Sequence, residues 1–179
     1  GGRSNISTEY STVDRIDYSN DTSTASPKGP LSAARYALAA SSPKANALPT
    51  INILFPAPPG GPTNFATGAV ETVQTGYFGG GLPSPRSTVD RIDYSNDTAT
   101  ASPKGPLSLA RGYIAATGNS SFGYFGGGGY PTGVSTVDRL DYSNDTSTTS
   151  PKGPLSLARG ILAATGNSSF GYFGGGYPA

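Results

Sequence analysis

Apolar residues in this chain come in short runs separated by glycine, proline and small polar residues. None of the runs is long enough for a helical stripe. In the most regular stretch, Arg111 to Thr117 (RGYIAAT) and Ser121 to Gly127 (SFGYFGG) flank the turn pair GN, and Ser135 to Tyr142 (STVDRLDY) follows a glycine loop. Thr146 to Ser150 (TSTTS) comes after SND, so the pattern predicts four short strands joined by tight turns. In VDRID the alternation puts Arg15 and Asp17 on one strand face. The stretch LSAARYALAA (Leu31 to Ala40) is alanine-rich enough for a helix. Its later counterparts carry Gly112 and Gly160 where it has Tyr36, and Ile114 where it has Leu38, so a strand is expected in all three.

The pattern recurs because the sequence does. STVDRIDYSNDT occurs at Ser11 and Ser87, and STVDRLDYSNDT at Ser135. Each copy runs on into SPKGPLS and then into Arg35, Arg111 or Arg159. GYFGGG appears at Gly76, Gly123 and Gly171. The units are 11–86, 87–134 and 135–179, one array rather than several domains. Ser87 and Ser135 are 48 residues apart and Ser11 and Ser87 are 76, so the first unit carries 28 extra. These lie in a proline-rich insertion, 41–75, whose FPAPPGGP centre suits neither helix nor interior strand. The insertion is expected to be an exposed loop rather than a small domain, with Ile51 to Phe55 (INILF) as a candidate extra strand.

Four strands in about 50 residues is the period of a propeller blade of the kelch kind. The residues carry the resemblance further. GYFGG, VDRIDY, SND, SPKGPLS and LAR stand in the order of the kelch repeat: a glycine-ended strand, a strand ending near Tyr-Asp, a polar turn, a proline segment and an arginine. The tryptophan that kelch repeats place after the Tyr-Asp element is absent, and Ser or Thr stands there. The repeats are also similar to kelch-like repeats of structural proteins in marine tailed phages. The resemblance implies an all-β fold of kelch-like β-propeller blades, each of four antiparallel strands. It gives three blade equivalents with a split terminal blade, since the chain begins at a third strand and stops after a second.

Three blade equivalents are too few to close a ring of the usual four to eight. The expected partners are therefore other copies of the chain or the rest of a longer parent, with an open solenoid-like stack as the third arrangement. Unpaired edges would otherwise invite aggregation.

Composition narrows the function classes. The 26 glycines and 16 prolines among 179 residues approach the low-complexity range, but 11 tyrosines, 7 phenylalanines and few charges favour order. A net charge of +1 gives no footprint for nucleic acid. No apolar run approaches the length of a membrane span. Cysteine, histidine, methionine and tryptophan are all absent, which removes disulfides, thiol nucleophiles, imidazole bases and Cys or His zinc sites. No cofactor is expected.

The glycine run GGGGYPTG lacks the Gly-Lys-Ser/Thr ending and following helix of a phosphate loop. Gly79, Gly80, Gly126, Gly127, Gly174 and Gly175 are instead expected to end inner strands and allow close approach. The DYSNDT copies offer Asp17, Asp21, Asp93, Asp97, Asp141 and Asp145 as weak cation candidates, without the EF-hand series; tight Asx turns are the expected use. NDT, NIS and NSS fit the glycosylation acceptor pattern. Asp14, Arg15 and Asp17 recur as a set on three units, whereas an active site needs different groups converging once. Cross-blade ion pairing, with Arg35, Arg111 and Arg159 as partners, is therefore expected rather than acid-base catalysis. Tyr18, Tyr94 and Tyr142 are expected to pack between sheets. These features point to a structural or adhesive module in a phage particle or extracellular assembly, acting on virion proteins or other copies. The alternative is a lectin-like propeller that reads surface glycans with the 41–75 insertion. An enzyme ranks third.

Overall fold

The structure is a computed structural model that describes residues 3–5, 8–20, 22–42, 75–129 and 132–178. The chain is all-β, and every strand pairing is antiparallel. A two-residue contact pairs β1 (Arg3–Asn5) with β2 (Thr8–Glu9). Then come a two-stranded sheet, β3 (Val13–Arg15) with β4 (Ser26–Lys28), and a four-stranded sheet of β5 (Ala39–Ser41), β6 (Thr75–Gly79), β7 (Val89–Asp93) and β8 (Ser102–Lys104) in chain order. A second four-stranded sheet repeats that order with β9 (Ala115–Gly118), β10 (Phe122–Gly126), β11 (Val137–Asp141) and β12 (Ser150–Lys152). The last sheet is the hairpin of β13 (Arg159–Gly166) and β14 (Gly171–Pro178). The only helical pieces among the described residues are single 3-10 turns at Tyr94–Asn96 and Tyr142–Asn144.

Three of the four strands of a unit fall where the sequence places them, and the fourth is displaced. It is Ser150–Lys152, and not Thr146 to Ser150. Thr146 to Thr149 are used otherwise: the Ser147 amide closes a turn onto Asn144, and the Thr149 amide donates to the Pro106 carbonyl of the preceding unit at 2.9 Å. Pro151 is tolerated opposite Asp138 because β12 is an outer strand with no neighbour on its far side.

The first strands are shorter than expected. They start at Ala39 and Ala115, past Ala37 and Tyr113, whose left-handed φ values of 54° and 58° break the ladder. Ile161, at φ 56°, does the same inside β13 and leaves a bulge between the Gly160–Tyr177 and Leu162–Gly175 pairs. No helix forms over Leu31 to Ala40. Nearly all of the 41–75 insertion, with Ile51 to Phe55, lies outside the described residues, as do Asp21 and Tyr130.

The core sits where the two four-stranded sheets face each other. Tyr77 and Val89 of one meet Ile114, Phe125 and Leu140 of the other, with Leu107 from the connection between them. Both faces of the third strands are covered: in β7 and β11, Val89 and Val137 are buried on one face and Ile92 and Leu140 on the other, while Arg91 and Arg139 are only partly covered.

Candidate functional site

The functional candidates assemble into two constellations that recur from unit to unit. The first is a buried box inside each four-stranded sheet. Arg35, just ahead of β5, reaches Asp90 on β7 at 3.1 Å and the Phe78 carbonyl on β6 at 3.1 Å. Ser32 supplies its hydroxyl to Asp90 at 2.8 Å and its amide at 3.1 Å. In the next sheet Arg111 binds Asp138 at 2.9 Å, and also donates to the carbonyls of Phe125, Gly127 and Leu109. Ser108 repeats the role of Ser32. Arg35, Asp90 and Asp138 have no exposed side-chain surface and Arg111 almost none. Burial works against the Arg35 charge and lowers its pKa, with Asp90 opposing that shift. The third arginine, Arg159, donates to the Phe173 carbonyl at 3.0 Å and has no carboxylate partner among the described residues.

The second constellation is the joint between successive sheets. Arg91 of β7 reaches Asp145 in the next unit at 2.7 Å, the Tyr77 hydroxyl donates to the same carboxylate at 3.0 Å, and Lys104 approaches at 3.6 Å. The preceding joint repeats it: Arg15 meets Asp97 at 2.8 Å, and Lys28 approaches the same carboxylate at 3.6 Å. Tyr142 stacks on Tyr77 with ring centroids 5.0 Å apart, and its hydroxyl is 2.8 Å from the Ser41 Oγ of the neighbouring sheet. Burial pushes the pKa of both tyrosines up. Partial burial disfavours the Arg91 charge, but Asp145 and Tyr77 together outweigh it and hold that pKa above the ordinary value.

The glycines belong to this joint. A side chain at Gly79 would strike the Phe125 ring at 2.8 Å, and one at Gly126 would strike Phe173 at 2.7 Å. Gly80 and Gly127 adopt φ of 68° and 66°, which lets the chain leave the inner strand, whereas Gly174 and Gly175, expected to end theirs, lie inside β14, which stays paired with β13 as far as Pro178. Beyond Gly80 and Gly127 the Gly81 amide donates to Arg111 and the Gly128 amide to Arg159, each at 3.0 Å to the carbonyl. Those donors, which would have to bind a phosphate, point at the backbone of the following unit.

The aspartates divide by position. Asp17, Asp93 and Asp141 each take the amide and hydroxyl of the serine two residues on, and these bonds hold their carboxyls below the ordinary 3.8. Asp97 and Asp145 face the cations of the joint. Among the described residues no group of three or more Asp, Glu, His or Cys could hold a metal ion, and no helix is long and apolar enough to cross a membrane.

Two sequence expectations are corrected. Arg35 and Arg111 do not pair across sheets; they pair within their own sheet, because each precedes the first strand and turns under it toward the third. Cross-sheet pairing is made by Arg15 and Arg91 onto the Asp of NDT. The tyrosines also differ: Tyr142 packs between sheets as expected, while Tyr94 is 46% and Tyr18 93% exposed. The paired roles of Asp90 and Asp138, and of Ser32 and Ser108, were missed. The signal was the recurrence, in every copy, of a serine three residues before the arginine and of the aspartate in VDR.

Two concave places remain. A small one of about 200 Å³ lies between Tyr124, Phe170 and Phe173, with Asn119 and Asn167 at its mouth. A groove of about 550 Å³ separates β3 from the first four-stranded sheet, lined by Val13, Asp14, Ile16, Phe78, Ile92 and Tyr94. No protein-family model matches the chain, and no curated protein matches it.

Proposed function

We propose that this chain is a segment of a kelch-like β-propeller that serves as a structural or adhesive module of a phage particle or other extracellular assembly. It acts by protein–protein contact and carries out no reaction. One observation carries the reading: in both complete sheets the polar groups that could have done chemistry are spent, in the same way each time, on closing a sheet or on joining it to the next. Asp145 is used up by Arg91, Tyr77 and Lys104, and Asp138 by Arg111 and Ser108. A scaffold needs repeated, self-satisfied joints of this kind.

Two measurements test it. Negative-stain images of the native assembly should show sheets arranged radially about an axis, whereas a linear stack would overturn the propeller. A glycan array and a panel of glycosides should give neither specific binding nor turnover. Specific glycan binding lost on deleting 41–75 would replace this reading with a lectin.

A further inference from the structure

Two of the two-stranded sheets, β3–β4 and β13–β14, are complementary halves of the four-stranded ones, and what one lacks the other has. Among the described residues β14 pairs only with β13, and β3 pairs only with β4. In both complete sheets the strand equivalent to β14 pairs with the strand equivalent to β3 in one register: Gly79 opposite Val89, Phe78 opposite Asp90 and Tyr77 opposite Arg91, then Gly126 opposite Val137 and Phe125 opposite Asp138. We propose that a second copy of this chain completes the split sheet, with β13–β14 of one copy entering the groove beside β3 of the other to form a sheet ordered β13-β14-β3-β4. The inference rests on the reading of the chain as an interaction module and names its first partner.

Four independent vacancies match. Arg159 and Ser156 have no carboxylate among the described residues, and Asp14 has no arginine, whereas Arg35 with Asp90 and Arg111 with Asp138 are closed boxes. Docking in the register of the complete sheets sets Phe173 opposite Asp14, which delivers Asp14 to Arg159 and Ser156. Second, Ile16 is 56% exposed where its counterparts Ile92 and Leu140 are 4% and 1% exposed. A sheet completed over it would bury it likewise.

Third, Gly79 lies under Phe125 and Gly126 under Phe173, yet a side chain at Gly174 would meet nothing within 4 Å. Phe78, the ring equivalent to Phe125 and Phe173, lines the open groove. The docked hairpin brings Gly174 of one copy under Phe78 of the other. Fourth, Tyr94 lines the same groove and is the counterpart of Tyr142. Docking lets it stack on Tyr172, which is 58% exposed, and reach Thr165, the counterpart of Ser41. Tyr172 then reaches Asp97, which already holds Arg15 and Lys28 as Asp145 holds Arg91 and Lys104. The contact is head-to-tail, and in the proposed particle two copies make two such docks, each chain supplying half of a closed ring.

The test uses the 179-residue chain and native mass spectrometry with sedimentation. The expected particle has twice the 18.1 kDa mass of one chain. Asp14→Arg spoils the β3 side and Gly174→Val spoils the β14 side; each alone should run as a monomer with the circular dichroism of the wild type. Mixed together they should regain a dimer, because the intact β14 of the first meets the intact β3 of the second. Should Gly174→Val fail to fold, Tyr172→Asp replaces it, setting a second carboxylate against Asp97 from an exposed position. A wild type that stays monomeric at its highest soluble concentration, masses climbing past the dimer, or a mixture that stays monomeric would each overturn the proposal. Those results leave the interaction-module reading standing for other partners; glycan binding or turnover would overturn that reading and leave the docking intact.

Discussion

Asp138→Asn isolates the charge in the buried box. The carboxylate accepts the Ser108 hydroxyl at 2.6 Å on one oxygen, and Arg111 at 2.9 Å with the Ser108 amide at 3.1 Å on the other. An asparagine with its oxygen toward Arg111 keeps the second pair of bonds. Its amide nitrogen then faces the Ser108 hydroxyl, which can rotate to accept. The hydrogen-bond count is preserved and only the negative charge is lost, leaving a buried guanidinium without a counterion. Breaking a buried pair from one side costs about 3–5 kcal/mol, a large part of the 5–15 kcal/mol that typically stabilises a domain. With a denaturant slope of about 2 kcal/mol/M, the urea midpoint should fall by about 1.5 M or more. Replacing both partners, Arg111→Met with Asp138→Leu, removes the stranded charge but also the bonds from Arg111 to the Phe125, Gly127 and Leu109 carbonyls. At about 1 kcal/mol per bond, the double variant should recover only part of the loss. A midpoint shift below about 0.5 M for Asp138→Asn, or a double variant as stable as wild type, would refute the reasoning.

Glycine substitutions should separate the joints from the free edge. Gly126→Ala drives a methyl into the Phe173 ring and should cost about 1–3 kcal/mol, read as a lower melting temperature, whereas Gly153→Ala meets nothing within 4 Å and should stay within about 0.5 kcal/mol in the dilute protomer. At high pH, Tyr142 and Tyr77 ionise more readily in the unfolded chain, since burial raises both folded pKa values above the ordinary 10.0. Their contribution is complete below pH 10 and falls as pH rises beyond it. Tyr142→Phe, which keeps the stack on Tyr77 but loses the Ser41 bond, should cost about 1 kcal/mol at neutral pH and flatten that alkaline decline in a pH series of melting curves. At the acid end Asp17, Asp93 and Asp141 have folded pKa values below 3.8, so their turns contribute above that pH and lose their contribution as pH falls through the folded values. The triple variant Ser19→Ala, Ser95→Ala and Ser143→Ala should show a smaller difference in melting temperature between pH 5 and pH 3 than the wild type.

Repetition made much of the fold readable. Comparing copies decided strand over helix at Ala39–Ser41, where alanine content alone pointed the other way, and β6 and β10 end on their glycine motif, while β14 runs through it to Pro178. Turn chemistry was equally visible, because Asn119 and the Asp of DYSNDT bond their own backbone locally. The fourth strand was misplaced because the threonines of TSTTS have high β propensity, yet their amides are taken by a turn and by the preceding unit, and a proline segment pairs instead. The arginine boxes were half visible. Recurrence marked Arg35 and Arg111 as structural, but their partner is set by how the chain folds under its own first strand, which a one-dimensional spacing does not encode. The open groove was invisible for the same reason: it is defined by the absence of contacts that sister residues make.

Much of the stitching between units involves no side chain. Tyr113 donates its amide to Ala37, Ile161 to Tyr113, Gly81 to Arg111 and Gly128 to Arg159, all through main-chain atoms. Bonds of that kind survive a change of residue type wherever the left-handed or glycine conformation is kept. Genetic drift on the outward positions of the strands therefore leaves these unit-to-unit bonds in place. Whole units can be gained or lost by recombination, since each addition meets its neighbour through the same main-chain seam. A particle built from such segments can vary the face it shows to the outside while its internal seams stay constant.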